Sequence, residues 1–257
     1  MNFIIRLSIL YCIGSTLGWL IELIFRRFFS SGNPEKRWIN PGFLCGPYIP
    51  LYGFGLCILY LLAGLESKMN PGGPSGKIGI FVIMALSLTA VEYLAGLIFI
   101  KGMKVNLWDY SDMPCNLQGI ICLQFSLCWA LLGIIYYLVL HRPLTFLLDS
   151  LSHNIATTSL IGAYIGIFAV DFIYSCNILS KIRSFAVEHK IIVKYDRLRS
   201  IVAERMAEKE KRPYFFVSLR SDAPISEHLI SYLKWMEGQI EIANSALSER
   251  KNDGRLS

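Results

Sequence analysis

Charge is what this sequence has least of. Only 17% of its 257 residues are Asp, Glu, Lys or Arg, against about a quarter in an ordinary soluble domain. Histidine appears four times, and no His/Cys spacing suits zinc. The seven cysteines contain no CxxC pair. Cys12, Cys57, Cys122, Cys128 and Cys176 lie in apolar stretches, and Cys45 and Cys115 at loop–helix junctions, so they read as small apolar fillers. Residues 71–78 end like a phosphate-binding loop, but Pro71 stands where the first Gly belongs and Ile78 replaces the Ser/Thr. A flexible turn is expected there. These shortages disfavour a disulfide scaffold, a disordered chain and an ordinary cytosolic enzyme, and they leave no motif for ATP hydrolysis.

What is present is apolar. Hydrophobic residues make up 54% and the mean hydropathy is +0.46. Five stretches, about 3–25, 47–65, 78–100, 119–140 and 155–179, approach the roughly 20 residues that a membrane helix needs. The first runs into Arg26 and Arg27 without a small-residue cleavage site, so it reads as a retained span. The expected fold is all-α: a polytopic transmembrane helical bundle of about five spans over residues 1–180, with an amphipathic helical tail over 181–257. Charge divides the same way. Residues 1–180 hold 10 Lys/Arg and 8 Asp/Glu, and the tail holds 15 and 11. Lys/Arg placement in the short loops favours an outside N-terminus and a cytoplasmic C-terminus.

The tail reads as two helices. Ile191, Tyr195, Leu198, Val202 and Met206 mark one stripe, ending in the charged run 208–212 before Pro213. Leu229, Leu233, Met236, Ile240, Ala243 and Leu247 mark a second, after Pro224 and a Ser226 cap, as a heptad seam of under three repeats. Packing within the tail and a partner surface both fit. Basic residues just past the last span suit anionic membrane lipids.

The membrane part echoes itself. Gly18-Trp19-Leu20-Ile21-Glu22 in the first span matches Ala90-Val91-Glu92 in the third, and each is followed by an Asn–Gly–Cys approach to the next span. The approaches are Asn40-Pro41-Gly42-Phe43-Leu44-Cys45 and Asn116-Leu117-Gln118-Gly119-Ile120-Ile121-Cys122. Two tandem two-helix repeats, about 3–65 and 78–140, are expected to be related by an axis along the membrane normal.

Glu22 has Arg26 four residues on as a ready partner. Glu92 has Gly96 there, and an intramembrane carboxylate without a local partner faces a bundle interior or water. The segment 40–53, with Gly42, Gly46, Pro47, Pro50 and Tyr52, is too rich in Pro and Gly for a regular helix, so a re-entrant or broken approach is expected. An interfacial anchor with a Pro-defined turn is the alternative. Its counterpart carries Trp108, Asp109, Tyr110, Asp112, Asn116 and Gly119. In the fifth span Thr157, Tyr164 and Asp171 share a face, and Gly162 and Gly166 permit close helix approach. Asp171 is expected either to make a packing contact or to face the same interior as Glu92.

The set Gly18-Trp19-(x)2-Glu22, Asn40-(x)-Gly42-Phe43-Leu44-(x)-Gly46-Pro47-(x)2-Pro50-(x)-Tyr52-Gly53 and Trp108-Asp109-Tyr110-Ser111-(x)2-Pro114-(x)-Asn116-(x)2-Gly119 resembles the bacterial ABC-transporter type IV integral membrane family over about residues 3–140. The resemblance implies a permease subunit in a bacterial inner membrane, with its ATPase on a separate subunit docked to cytoplasmic loops or tail. The family often has Arg after the first Asn. Pro41 here removes that guanidinium.

The leading expectation is therefore transport, with Glu22, Glu92, Asp109 and Asp171 lining a polar path and the Gly/Pro segments as gates. It requires a cavity beside Glu92. An intramembrane enzyme on a lipid-linked substrate, using Asp109, Asp112 and Glu92, and a scaffold acting through its tail are the alternatives. His141 and His153 are expected at the opposite boundary, away from such chemistry. No cofactor or metal is expected. Nucleic acid is not an expected partner, because the net charge of +6 is thinly spread. Five spans are few for a whole transporter, so a homodimer or second subunit is expected.

Overall fold

The structure is a computed structural model that describes residues 2–30, 33, 35–69, 74–208, 215–216 and 219–253. Helix α1 (Asn2–Phe28) leads through an irregular connector, residues 40–49, into α2 (Pro50–Met69). Pro50 takes the first helical position, where its missing N–H has no helical partner to lose. Helix α3 (Pro74–Leu97) widens into a π-helical turn (Ile98–Met103) and ends at Lys104, whose φ of 56° is left-handed. Strand β1 (Val105–Asn106) follows, then the antiparallel pair β2 (Asn116–Leu117) and β3 (Ile121–Cys122). Helix α4 (Leu123–Ile135) passes through a second π-helical turn (Tyr136–Leu140) into α5 (His141–Leu151). Helix α6 (Ile155–Glu188), strand β4 (Val193–Lys194), α7 (Tyr195–Glu208) and α8 (Ile225–Asp253) complete the chain.

Among the described residues, four helical runs are long and apolar enough to cross a membrane: Phe3–Phe28, Lys77–Met103, Leu123–Leu151 and Ile155–Glu188. Pro50–Leu65 is a shorter apolar helix. The all-α membrane bundle is thus as expected, but several boundaries move. The fourth stretch begins as a hairpin, because Gln118 and Gly119 both take positive φ and turn the chain before Leu123. The fourth stretch, expected to end near residue 140, runs on as helix to Leu151. The His141 N–H reaches back five residues to the Tyr136 carbonyl, and this widened turn absorbs Pro143, which has no N–H to offer. His141 therefore sits within a continuous helical run, 3.0 Å from the Tyr136 hydroxyl. Helix α6 passes straight through residue 180, the expected end of the membrane part, and stops only before Lys190, which has positive φ. Asn154 starts it, its side chain accepting the Ala156 N–H at 2.9 Å.

In the tail, Ile191 precedes α7, and Ser226 lies inside the first turn of α8 instead of capping it. Along α8 His228, Leu229 and Tyr232 are buried, while Ile240 is exposed, so the seam is covered only at its start. The P-loop-like residues 70–73 and the charged residues 209–212 lie outside the described residues. Cys128, expected as a filler, is exposed.

The largest buried cluster joins Leu179 and Ile182 of α6, Val105 of β1, Leu198 and Val202 of α7, and Leu229 and Tyr232 of α8. The parallel pairing of β1 with β4 seals it. A second cluster (Leu59, Ile80, Met84, Leu88, Tyr136) holds α2, α3 and the α4–α5 run together, and Ile9, Leu10 and Leu148 join α1 to α5. Outside these clusters the helices expose large apolar side chains such as Leu86, Phe146 and Leu160, as lipid-facing surfaces do.

Glycine decides the closest approach. A Cβ on Gly18 would lie 2.1 Å from Tyr52 Cγ, and one on Gly53 would lie 2.2 Å from Ser15 Oγ, so α1 and α2 meet backbone to side chain. Gly162 and Gly166, expected to mediate a close approach, have nothing within 4 Å of such a Cβ among the described residues. Gly18→Ala should lower the melting temperature in mild detergent, since a ring rooted at Cβ cannot swing aside, and should cost about 1–3 kcal/mol. Gly162→Ala should leave it within error; equal losses in both would refute this packing.

Candidate functional site

The two carboxylates that the sequence pairs by repeat are each met by an aromatic donor from the following helix. Glu22 Oε2 accepts from the Tyr52 hydroxyl at 3.3 Å, and Glu92 Oε2 from Trp129 Nε1 at 2.8 Å. Tyr52 lies seven residues after Cys45, and Trp129 seven after Cys122. The Tyr52 and Trp129 rings lie 5.3 Å apart, and Glu22 and Glu92 are near enough for their charges to interact. Glu22 also takes the Arg26 guanidinium at 3.1 Å, as the i,i+4 spacing leads one to expect. Glu92, 3% exposed, finds its second donor in the Tyr110 hydroxyl at 3.2 Å. Tyr110 in turn stacks on Phe125 at 4.6 Å. The local partner that Glu92 lacks on its own helix is thus supplied from α4 and from the second connector, residues 107–122, which joins β1 to α4.

The Glu92 side of this centre is closed. Glu92 is packed among donors, and neither of two cavities found elsewhere, a very small one beside Phe43, Ser175 and Tyr195 and a larger one of about 310 Å³ beside Arg205 and His228, is lined by it. The expected cavity beside Glu92 is therefore not among them. Its packing counts against a standing polar path.

The first connector is held from three sides. Asn40, buried to 3%, accepts from Trp19 Nε1 at 2.6 Å, and its amide donates to the Leu44 and Cys45 carbonyls, each at 3.1 Å. Gly42 has φ +77°, which its lack of a Cβ allows. The Ile49 N–H donates to the Ser15 carbonyl at 2.9 Å, in the middle of α1. Asp171 of α6 supplies the third hold: its carboxylate accepts from the Cys45 N–H (3.1 Å), the Gly46 N–H (2.7 Å), the Tyr48 hydroxyl (2.6 Å) and the Ser175 hydroxyl (3.0 Å). Asp171 therefore does not join Glu92; it caps the connector. Tyr164, on the same face, meets Thr16 at 3.0 Å. Pro47 is exposed.

The second connector is a self-bonded loop. Asn116 donates to the Ser111 and Met113 carbonyls and accepts the Gly119 N–H at 3.1 Å. A Cβ on Gly119 would lie 2.5 Å from Ser111 Oγ. Trp108 Nε1 donates to the Ile120 carbonyl at 2.9 Å. Asp109 accepts from Ser111 Oγ at 2.5 Å and pairs with Lys194 of β4 at 2.9 Å. Burial pushes the Asp109 carboxyl up, but the Ser111 and Lys194 hydrogen bonds outweigh it and leave it below the usual range. The bond to Asp109 holds Lys194 above its own usual range. Asp109, Asp112 and Glu92 do not converge, and no three His, Cys, Asp or Glu side chains form a metal-holding group among the described residues.

The residues that sequence reading missed are those of the tail. Asp196 receives Arg26 at 3.1 Å and Arg199 at 2.6 Å, and Arg199, itself buried, donates to the Asn40 carbonyl at 2.7 Å. A chain of charges thus runs from Glu22 through Arg26, Asp196 and Arg199 to the first connector. No spacing signals a contact across some 170 residues. Trp129, also missed, was discoverable from its offset to Cys122.

Asp171→Ala would leave two connector amides without an acceptor, at about 1–3 kcal/mol each. Cys45 should then react faster with a maleimide, read peptide by peptide by mass spectrometry, while Asp171→Asn keeps partial protection. Unchanged Cys45 reactivity in the alanine variant would refute the cap. The Asp109–Lys194 tie should hold from the acidic end of the Asp range to the alkaline end of the Lys range. A depressed carboxyl loses its contribution as pH falls through its folded value, and a raised ammonium loses its own as pH rises through its folded value. Lys194 is largely exposed, so the tie is worth at most about 1 kcal/mol. Lys194→Gln should raise amide exchange in residues 105–119 at neutral pH, and the difference from wild type should shrink as pH falls through the folded value of the Asp109 carboxyl.

Residues 9–176 match a family model described as "Putative ABC-transporter type IV". No curated protein and no solved structure matches the chain. The match covers well over half of the chain and includes every membrane-length helix at least in part, together with both connectors, and it agrees with the motif resemblance and the apolar helices; the protein belongs to the ABC-transporter type IV family of membrane proteins.

Proposed function

We propose that the chain is the membrane-spanning, permease-type subunit of a transporter, held here with its polar centre closed, and that a separate subunit supplies ATP hydrolysis. The observation that carries this reading is the meeting of Glu22–Tyr52 with Glu92–Trp129, each aromatic lying seven residues after the cysteine that precedes its helix. A buried carboxylate such as Glu92, beside the half-buried Glu22, is costly in an apolar bundle, and packing alone does not require it. Their matching aromatic donors support a duplicated unit with a pseudo-two-fold axis between the rings. The Ser15–Ile49 bond supports a first connector that re-enters the membrane. Because Glu92 is packed, movement of a substrate past it requires the halves to part. The tail, bonded to both connectors through Arg199 and Lys194, is the natural lever for that motion and lies on the cytoplasmic side in this reading. The N-terminus then lies outside, in a bacterial inner membrane.

A scaffold acting through its tail is the second reading, favoured by the exposed Ile240 and Ile242 on the far part of α8. Its test is Ile240→Asp with Ile242→Asp, which should release partners only if that surface recruits them.

Mass spectrometry of the protein drawn from its native membrane in mild detergent tests the permease reading. A stoichiometric ATPase is expected, and Glu92→Gln should keep it bound while lowering ATP turnover about tenfold or more. Absence of any ATPase, or unchanged turnover in Glu92→Gln, would overturn the reading.

A further inference from the structure

Where α3 and α6 end, the fold gathers cations that sequence order keeps apart. Arg183 Nε donates to the Gly102 carbonyl at 2.7 Å, and the Val193 N–H donates to the Lys104 carbonyl at 3.0 Å. With the β1–β4 pairing, these bonds set the Lys101–Lys104 end of α3 beside the 183–190 end of α6. Lys101, Arg183 and Lys190 are exposed and Lys104 is half-buried. Among the described residues none of these four forms an ion pair, and the acid on the neighbouring stretch is Glu188. Below the cations, toward the span, the same helix exposes Ile98 and Leu94, at 63% and 57%.

Placement at two helix C-termini accounts for some basic residues there. It does not account for an exposed apolar track leading up to them. A cationic rim over an apolar track at the end of a membrane span has the chemistry of a phospholipid: phosphate on the rim, acyl chain on the track. A free phosphate would use the rim alone.

We propose that this junction seats an anionic phospholipid of the tail-side leaflet, with its headgroup phosphate on Lys101, Lys104, Arg183 and Lys190 and an acyl chain along Leu94 and Ile98. Each such cation near a membrane surface adds a comparable increment of attraction for anionic lipid. The seat bridges the membrane part and the tail, so an occupied seat holds them together.

The test is independent of whether an ATPase accompanies the protein. The full chain is placed in nanodiscs of equal phosphatidylglycerol and phosphatidylcholine, and the lipids it retains are identified by native mass spectrometry. Retained phosphatidylglycerol should exceed phosphatidylcholine by about tenfold or more. Lys101→Gln, Lys104→Gln, Arg183→Gln and Lys190→Gln together should bring that ratio to the bulk value, whereas Lys77→Gln, at the other end of α3, should leave it unchanged. Should the fourfold variant fail to fold, Lys101→Gln with Lys190→Gln spares the Arg183–Gly102 bond and should still lower the ratio severalfold. Wild-type retention at the bulk ratio, an undiminished ratio in the folded variants, or equal loss with Lys77→Gln would overturn the proposal.

Discussion

The structure depends on one constraint: irregular backbone set among apolar helices must find its hydrogen bonds inside the protein. Residues 40–49 have no helix of their own to satisfy them. Asp171 serves two of their N–H groups, Ser15 a third, and Asn40 and Arg199 serve carbonyls. Apart from Asn40, which lies in the connector itself, those partners come from α1, α6 and α7. Helix α6 buries little of its membrane-length part, so the connector is a principal reason it stays in place.

The same network carries charge from the bundle to the tail. Arg26 lies between Glu22 and Asp196, and Asp196 lies between Arg26 and Arg199. A buried guanidinium is tolerable only with good partners, and here each arginine has a carboxylate plus, for Arg199, a carbonyl. The tail is therefore no loose appendage. Its helix α7 supplies the countercharge that lets Arg26 sit at the end of α1, and strand β4 closes the cluster on which the second connector rests.

Much of this was legible beforehand, in unequal parts. Apolar runs announced the helices, and Gly18-Trp19-(x)2-Glu22 with its companions announced the family. The Glu22–Arg26 pair followed from helical spacing alone. The partners of Glu92 did not, because Tyr110 and Trp129 reach it from the other side of a turn and of a helix. The GxxxG of α6 suggested a close neighbour that the fold does not provide within the chain, since small residues permit contact without causing it.

By itself the sequence determined what is set by local chemistry and by length: apolar helices of membrane span, where Pro and Gly forbid regular helix, and the presence of carboxylates within or beside the apolar stretches. Only the tertiary structure decided what those carboxylates touch. Asp171 turned out to cap a connector, Asp109 to hold a strand of the tail, and Glu92 to lie packed between two aromatic donors. The physical reason is reach. A helix fixes neighbours three or four residues away, whereas a buried charge in an apolar surrounding takes whichever donor the fold brings within about 3 Å, however far along the chain.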